Sequence, residues 1–279
     1  MSSIKDRQRA AARARLEKEM AERAATAHKR RQRQAVIGSA IAVVVIAGVA
    51  VWLVTVLKSG DDKKSTASGP PAGTVACTWT PASGASGGKV KDVGGLPPKN
   101  APNMGVDVMT IDTNLGPISA KLDLSKVPCT AASFAFLSSK NFWNNTKCHR
   151  LVNEASFKVL QCGDPFASGK GYRQTDGTGG PAYTMTEENL PTDTNNPYPA
   201  GSIAMANTGQ PGSTGSQFFI CAENTKLPSS YTLLGSITSG LDIIKGVVAA
   251  GDDGAFKAQA GGGHPKKEVD IKTLTMAAA

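Results

Sequence analysis

One apolar stretch constrains this chain more than any other feature of its 279 residues. Residues 35–57 contain no charged side chain and are centred on the run IAVVVIAGVAVWLV. About 20 apolar residues are enough to cross the hydrocarbon core of a bilayer as one helix. A helix of a soluble domain is rarely apolar on every side, least of all directly after a basic segment such as KRRQR. The stretch therefore predicts a single transmembrane helix over residues 35–57.

A cleavable signal peptide is the rival interpretation of this stretch. Such a signal has an apolar region of about 7–15 residues, with a short positive segment before it and a small-residue cleavage site after it. The run is longer than that, and 34 residues precede it. A retained anchor is therefore favoured. The pair Arg30-Arg31 is also a feature of twin-arginine export signals, although the residues after it fit that pattern poorly.

Most of the positive charge lies before the apolar stretch. Residues 1–34 carry 11 basic and four acidic residues, or +7, whereas the rest of the chain carries 20 basic and 18 acidic residues, or +2. Because basic flanks stay in the cytoplasm, we expect a single-pass cell-membrane protein with a cytoplasmic N-terminus and an extracytoplasmic C-terminal domain. The nearly neutral remainder offers no basic face for nucleic acid, so we expect no such partner. We expect the basic arm to contact anionic lipid at the membrane surface. Binding of the arm to DNA is the less favoured alternative.

A stretch of biased composition follows the predicted helix. Residues 58–104 are rich in Gly, Pro, Ser, Ala and Lys and show no apolar period. This composition is typical of flexible chains. We therefore predict a mostly disordered linker over 58–104, which holds a domain of residues 105–279 off the membrane. Cys77-Thr-Trp79 is the one place in the linker that could dock on that domain.

Residues 105–279 show many short alternating runs and two helical ones. Apolar residues alternate on both sides of a turn at Gly116, which predicts a hairpin. Helices are predicted from Pro128 and over 241–249. Further strands are predicted over 151–152, 159–161, 202–206, 217–221, 232–237 and 269–275. Many short strands with two helices and no βαβ pattern favour a mainly β fold, either a closed antiparallel barrel or a sandwich.

Several kinds of chemistry lack their usual residues in this domain. Its two histidines, His149 and His264, show no HxxxH spacing and no CxxC occurs, so we expect no metal site. No GxSxG elbow is present, and the GTGG at 177–180 lacks the Lys-Ser/Thr of a phosphate-binding loop. The acidic pair at 187–188 is interpreted as a solvated loop. We expect no cofactor.

Three parts of the domain together carry a specific pattern. They are TKCHRL at 146–151 with VLQCGD at 159–164, GSIAMAN at 201–207, and GSQFFI at 215–220. In order, spacing and residue type they resemble the cyclophilins, which are peptidyl-prolyl cis–trans isomerases. The resemblance covers residues 106–276. The LQCGD version and the tethered layout are most similar to membrane-anchored cyclophilins of actinobacterial type.

The resemblance implies both a fold and a site. The fold is a closed eight-stranded antiparallel barrel with two capping helices. The catalytic residues are Arg150, which contacts the prolyl substrate, Gln161, which orients that arginine, and Asn207, which binds the peptide. The implied substrate-binding residues are Phe157, Val159, Ala206, Gln217, Phe219, Leu227 and Tyr231. The implied partners are Pro-containing polypeptides.

The chain also departs from the family pattern. About three extra residues lie around 153–156, Lys158 stands where many relatives have an aromatic residue, and Val159 stands where they have Met. Which of Phe157, Lys158 and Val159 lines the proline pocket therefore stays open. Lys226 stands where cyclosporin-sensitive relatives carry Trp, so we expect weak cyclosporin binding.

Five cysteines follow the apolar stretch. In the expected topology they lie outside the cytoplasm, where disulfides persist. Cys148 and Cys162 flank the two strands of a predicted hairpin and are the preferred pair. Cys77 with Cys129 would then pin the linker to the first helix. Cys221 follows the Phe-Phe-Ile strand and is interpreted as a buried thiol.

The leading hypothesis is a membrane-anchored prolyl isomerase that assists the folding of exported proteins. A first rival is a cyclophilin-like module that binds Pro-containing segments with little turnover, which the changes at Lys158 and Lys226 favour. A second rival is a structural cell-envelope protein whose barrel only scaffolds contacts.

Overall fold

The computed structural model describes residues 69–82 and 88–279. The predicted arm 1–34, the predicted helix 35–57 and residues 58–68 and 83–87 of the predicted linker lie outside these ranges. In chain order the elements are β1 Thr74–Ala76, β2 Thr80–Pro81, β3 Val90–Lys91, β4 Asn100–Pro102, β5 Val106–Thr113, β6 Gly116–Asp123, α1 Pro128–Ser139, β7 Thr146–Lys147, β8 Arg150–Glu154, β9 Phe157–Cys162, β10 Gly180–Pro181, β11 Tyr183–Thr184, β12 Ser202–Met205, β13 Phe218–Cys221, β14 Leu233–Ser239, α2 Leu241–Ala250 and β15 Asp270–Ala278.

The hairpin predicted around Gly116 is confirmed. β5 and β6 pair antiparallel over their full length, from Val106 opposite Asp123 to Thr113 opposite Gly116. Gly116 has a φ of 121°, a backbone conformation that a residue with a Cβ rarely adopts. The alternation buries one face of each strand, for example at Ile111. This hairpin therefore supplies one wall of the core.

Nine strands form one sheet, in the order β7-β15-β5-β6-β14-β12-β13-β9-β8. All of the pairings in it are antiparallel. The predicted mainly β fold is confirmed, but the prediction of eight strands in a closed barrel is not. The ninth strand is the short β7, which pairs with β15. Within the described residues no ladder joins β7 to β8, whose outer edge meets Gly263 in an isolated bridge. The sheet is thus curled, with both end strands drawn from residues 146–154.

The two predicted helices are also confirmed. α1 begins at Pro128, whose fixed φ and missing N–H suit a first helical turn. The carboxylate of Glu188 accepts hydrogen bonds from the N–H groups of Cys129 and Thr130 at 3.1 and 2.8 Å, which satisfies two free donors of that turn. Glu188 is therefore a structural acceptor. Glu187 likewise accepts from the N–H of Gly212 and the hydroxyl of Thr214, both at 2.9 Å, so the interpretation of the pair 187–188 as a solvated loop is wrong.

Both helices bury one face against the sheet. α1 contributes Phe134 and Leu137, and α2 contributes Ile244 and Val247, to the main apolar core. The ring of Phe134 lies 4.9 Å from that of Trp143 and 6.0 Å from that of Phe218 on β13. The core therefore lies behind β13, and the opposite face of that strand is left for a site.

Much of the predicted linker is folded, contrary to the prediction. β1 pairs antiparallel with β4, β2 with β11, and β3 pairs parallel with β10. Trp79 is buried and its ring lies edge-on to Tyr183 at 5.4 Å. The prediction of disorder is thus wrong for residues 69–82 and 88–104, and the domain begins before residue 105. Composition could not reveal this, because the partners of β2 and β3 lie about a hundred residues further along the chain.

The structure contains two disulfides, Cys77–Cys129 and Cys148–Cys162, with Cα atoms 5.5 and 4.0 Å apart. The first ties the N-terminal segment to α1, and the second joins the entry of β8 to the end of β9. Cys221 is buried and free. Burial raises the pKa of its thiol to about 12, so it stays protonated.

In the part of the chain that the structure describes, neither helix is both long and apolar enough to cross a bilayer. The predicted span 35–57 falls outside that part.

Candidate active site

Arg150 and Gln161 lie opposite each other on neighbouring strands. The register of β8 and β9 pairs them directly, and Nη1 of Arg150 donates to Oε1 of Gln161 at 3.1 Å. Nε of Arg150 donates to the carbonyl of Gly261 at 3.2 Å, and Nη2 donates to that of Ala260. The guanidinium carbon lies 5.7 Å from the centre of the Phe157 ring. These contacts hold the guanidinium in one orientation.

The guanidinium keeps capacity for a substrate. It has five N–H bonds, and three donate to the acceptors just named. Burial lowers the pKa of Arg150 from its usual value. The neighbouring Tyr231 and Glu154 oppose this shift. An arginine stays charged under these conditions. The site therefore presents a fixed, half-buried cation.

Two glutamine amides connect this arginine to a glycine loop. Nε2 of Gln161 donates to Oε1 of Gln217 at 3.0 Å. Nε2 of Gln217 in turn donates to the carbonyls of Gly177 and Gly179 at 2.8 and 2.9 Å. The orientation of Arg150 is thus set by a chain of hydrogen bonds that ends on the backbone of the GTGG segment.

A buried carboxylate holds that loop in place. Asp164 is fully buried, and its Oδ2 accepts hydrogen bonds from the N–H groups of Gly177 and Gly179 at 2.7 and 3.1 Å. A Cβ at Gly179 would lie 2.2 Å from Oδ1 of Asp164, so only glycine fits there. Sequence reasoning left Asp164 out of the site. Its position directly after the LQCG motif was the available signal.

A small apolar cluster covers the outer face of the sheet beside Arg150. Its buried members are Val152, Val159, Tyr198, Ala204, Phe219 and Cys221, and Phe157, Ala206, Leu227, Tyr231 and Leu233 pack against them. Phe219 lies at its centre, 5.9 Å from the ring of Tyr198 and 5.6 Å from that of Tyr231. Six of the seven predicted substrate-binding residues belong to this cluster. The seventh, Gln217, lies beside it in the hydrogen-bond chain.

The direction of the side chains on β9 answers the question that the sequence left open. Phe157 and Val159 pack with the outer cluster, on the same face as Gln161. Nζ of Lys158 is instead 2.9 Å from both carboxylate oxygens of Glu223. Phe157 and Val159 therefore belong to the apolar cluster, and Lys158 points away from it.

Asn207 uses its side chain within the protein. Its Nδ2 donates to the carbonyl of Ser230 at 2.9 Å, and its Oδ1 accepts from the N–H of Gly209 at 3.0 Å. Each end of the amide makes one hydrogen bond, so one N–H and one lone pair of the side chain remain for a peptide. The catalytic role of Asn207 stays a prediction.

Lys226 is exposed next to the cluster residue Leu227. Its main-chain N–H donates to the carbonyl of Ser156 at 3.0 Å. The expectation of weak cyclosporin binding stays a prediction. Among residues 69–82 and 88–279, no group of three or more His, Cys, Asp and Glu side chains could hold a metal ion.

A cavity of about 630 Å³ adjoins the cluster. Gln161, Ala206, Asn207 and Gln217 line it, so it continues directly from the predicted site. A cation, two amides, an apolar cluster and an adjacent cavity are together suited to hold an extended peptide with an apolar ring.

Residues 108–276 match the model of a family described as cyclophilin type peptidyl-prolyl cis-trans isomerase/CLD. The chain belongs to the cyclophilin family. The match contains Arg150, Gln161 and every other predicted site residue, and it begins after β4. The resemblance to cyclophilins is confirmed at the level of the family.

Two relatives of this cyclophilin come from mycobacteria. It is 38% identical over 221 residues to the probable peptidyl-prolyl cis-trans isomerase B of Mycobacterium leprae, covering 72% of this chain and 67% of the relative. It is 40% identical over 174 residues to the protein of the same name from Mycobacterium tuberculosis, covering 58% of this chain and 51% of the relative. The alignments thus span between half and two thirds of these relatives.

Among solved structures, a cyclophilin type peptidyl-prolyl cis-trans isomerase of Cryptosporidium parvum aligns with a TM-score of 0.49 and 25% sequence identity. The alignment covers 62% of this chain and 99% of that chain.

Proposed function

We propose that this cyclophilin catalyses cis–trans rotation about Xaa-Pro bonds, with Arg150 as the catalytic residue and the Phe219 cluster as the proline pocket. The observation that carries the proposal is the fixed guanidinium beside an apolar cluster and a cavity. Membership of a family named for this reaction, and two relatives with the same name, support it.

The reaction needs no covalent intermediate. Resonance in the C–N bond makes the barrier to rotation about 18–20 kcal/mol. Twisting the bond ends this resonance and localises a lone pair on the prolyl nitrogen. The two remaining N–H bonds of Arg150 are suited to donate to that lone pair or to the neighbouring carbonyl oxygen. Because Gln161 holds the guanidinium in advance, little reorganisation is needed when the charge develops.

The apolar pocket supplies a second effect. Phe219, Val159 and Tyr231 surround the pyrrolidine ring with little water. A planar amide is more polar than a twisted one, so loss of its hydration favours the twisted state. Shortening a half-time of about 100 s to milliseconds requires roughly five orders of magnitude, or about 7 kcal/mol. Stabilisation of the twisted state by a fixed cation and a dry pocket is of the magnitude that this lowering of the barrier requires.

The test is kinetic. Cis-to-trans rates on a short Xaa-Pro peptide are measured for the wild type and for Arg150→Ala, Arg150→Lys and Gln161→Ala. Losing one preorganised donor is worth about 10²–10³-fold in rate, so we expect that loss in kcat/KM for Arg150→Ala, mostly in kcat. Arg150→Lys should restore little, because an ammonium lacks the planar fork that Gln161 holds. Gln161→Ala should lose less, since the donor remains.

Lys126→Ala is the matched control. Lys126 is an exposed cation outside both the cluster and the cavity, and its contact with Asp123 is 3.9 Å. It should isomerise like the wild type, and circular dichroism should show every variant folded. Wild-type speed in folded Arg150→Ala would refute the mechanism. A wild type with no activity would favour the binding module instead.

The proposal extends to where the enzyme acts. We infer a single-pass anchor at 35–57 and a catalytic domain on the outer face of the membrane, where newly exported polypeptides fold. The uncharged stretch after a +7 arm supports this. So do the cysteine pairs Cys77–Cys129 and Cys148–Cys162, because disulfides persist outside the cytoplasm and are rare within it.

A further inference from the structure

The N-terminal segment runs along the cavity beside the proline pocket. We call residues 74–82 and 88–102 the N-terminal strap. β2 of the strap pairs with β11, and β3 pairs with β10, so the strap borders the segment that follows the GTGG loop. The family match begins at residue 108 and does not include the strap. Its contribution is therefore a feature of this chain beyond the family pattern.

Several contacts fix the strap at this place. The disulfide Cys77–Cys129 and the buried Trp79 hold its first half. Nζ of Lys91 donates to the carbonyl of Phe142 at 2.9 Å in its second half. A covalent bond and a buried ring hold the strap before the residues that reach the cavity, and a part-buried hydrogen bond holds it after them. The strap is thus held firmly enough to form a wall.

Backbone contacts bring the strap against the cavity itself. The N–H of Gly180 donates to the carbonyl of Lys89 at 3.1 Å, and the N–H of Ala82 donates to that of Ala182 at 2.9 Å. A Cβ built on Gly88 would lie 2.3 Å from the carbonyl oxygen of Thr178. Only a residue without a side chain allows so close an approach.

The strap forms one wall of the 630 Å³ cavity. Its lining residues are Pro81, Ala82, Gly88, Lys89 and Val90. Ala206, Asn207 and Gln217 line the cavity from the domain. An extended chain advances about 3.3 Å per residue. Since the cavity and the predicted site share Gln161 and Ala206, a side chain within about three residues of the bound proline reaches this cavity.

Charge indicates which side chain fits. Lys89 is the one charged residue among the described residues that line the cavity. It is exposed, and its Nζ lies 5.8 Å from the centre of the Phe166 ring, with no carboxylate within salt-bridge distance in the described chain. The other polar groups of the lining are neutral amides, hydroxyls and backbone. The lining itself therefore carries one positive charge, and the carboxylates of Asp164 and Glu187 lie behind it, where they accept hydrogen bonds from Gly177, Gly179 and Gly212.

We propose that the strap is part of the substrate site and that Lys89 selects peptides with an acidic side chain close to the proline. The inference rests on the proposed function, because it describes the specificity of that same site. Lys89 is a specificity residue, and the chemistry stays with Arg150.

The experiment uses the full-length protein and three peptide sets that differ only in Glu, Gln or Lys at each of the three positions on either side of one proline. We expect kcat/KM to favour Glu over Lys by about two- to fivefold at one or two positions, the size of an exposed ion pair. The preference should shrink in 0.5 M salt, since ions screen exposed charges. Lys89→Gln should remove it and Lys89→Glu should reverse it, measured as the ratio of the Glu peptide to the Lys peptide within each variant.

Two further variants sharpen the test. Lys121→Glu changes the same charge on β6, outside the cavity lining, and should keep the wild-type preference. Gly88→Ala leaves the charge in place but pushes the strap away from Thr178, so it should weaken the preference. Binding of the same peptides, measured by calorimetry, gives a second readout that does not depend on turnover.

The outcomes separate the two proposals. If the wild type isomerises the peptides but Lys89→Glu keeps the same Glu-to-Lys ratio, the strap inference is wrong and the proposed function stands. If no peptide is isomerised, the proposed function fails. In that case calorimetry still decides the role of the strap. The wild type should bind the Glu peptide more tightly than the Lys peptide, and Lys89→Glu should reverse this order; an unchanged order would contradict the strap inference.

Discussion

The imidazole of His149 is buried, next in the chain to Arg150, and neither ring nitrogen has a hydrogen-bond partner in the described structure. Burial lowers the pKa of His149 to about 4, and it outweighs the opposing effect of Asp164 and Asp176, while Arg150 and His264 add to the lowering. The ring lies under Gly177, where an added Cβ would be 2.8 Å from it. His149 is therefore a neutral packing residue beneath the loop that orients Gln217.

This burial predicts a pH dependence of stability. An unfolded histidine has a pKa of about 6.5, so below that pH the unfolded chain binds a proton that folded His149 refuses. The contribution of His149 to the free energy of unfolding is therefore highest above pH 6.5, and it decreases as the pH falls toward 4. Urea unfolding should show a loss on the order of 2 kcal/mol from this group between pH 7 and 4.5.

His149→Gln is the control for that measurement, because carboxylates also titrate in this range. The variant should be less stable at pH 7 but should show a shallower fall toward pH 4.5. Equal pH slopes in the two proteins would mean that His149 is not the source.

At the scale of elements, the short strands β1 to β4 depend on contacts that none of them makes alone. A two- or three-residue strand pair is too short to be stable by itself. The Cys77–Cys129 disulfide, the Trp79–Tyr183 contact and the pairing with β10 and β11 supply the missing interactions. The N-terminal strap is thus an extension of the cyclophilin domain and not a free tether.

Replacing Trp79 should test this packing. The indole is 9% exposed, and its Nε1 donates to the carbonyl of Pro98 at 3.2 Å. Removing a buried indole typically costs 3–5 kcal/mol, so we expect Trp79→Ala to lower the free energy of unfolding by about 3 kcal/mol.

Leu96→Ala serves as the comparison in the same segment, since Leu96 is 49% exposed and should change stability by about 0.5 kcal/mol or less. Both variants are measured by urea denaturation under non-reducing conditions. Equal, small effects would show that the strap does not pack on the domain.

For the whole molecule, the proposed topology separates a cationic arm from the catalytic domain by one membrane crossing. Moving 11 basic residues across the bilayer is unfavourable, so the arm should remain in the cytoplasm. Protease added to intact cells should remove an epitope placed after Ala279 and spare one placed before Met1. Permeabilised cells, in which both epitopes should be lost, provide the control. A protected C-terminal epitope in intact cells would reverse the topology.

The sequence by itself determined the family, both helices and the β5–β6 hairpin. These features depend on local patterns: alternation around Gly116, Pro128 at a helix start, and the motifs that contain Arg150, Gln161 and Phe219. It also indicated the cysteine pairs that the structure contains. Local order along the chain was enough for the helices and the hairpin, because neighbouring residues decide the period of a strand or the cap of a helix.

The tertiary structure alone decided the ninth strand, the folded strap, the side of β9 that faces the pocket and the role of Asp164. Each depends on partners that are remote in sequence. Asp164 binds a loop 13 to 15 residues away, Lys158 pairs with Glu223, and β3 pairs with β10. Hydrogen bonds and ion pairs of this kind form only after the sheet curls and brings distant segments together. Composition and periodicity therefore could not predict them, although they complete the site.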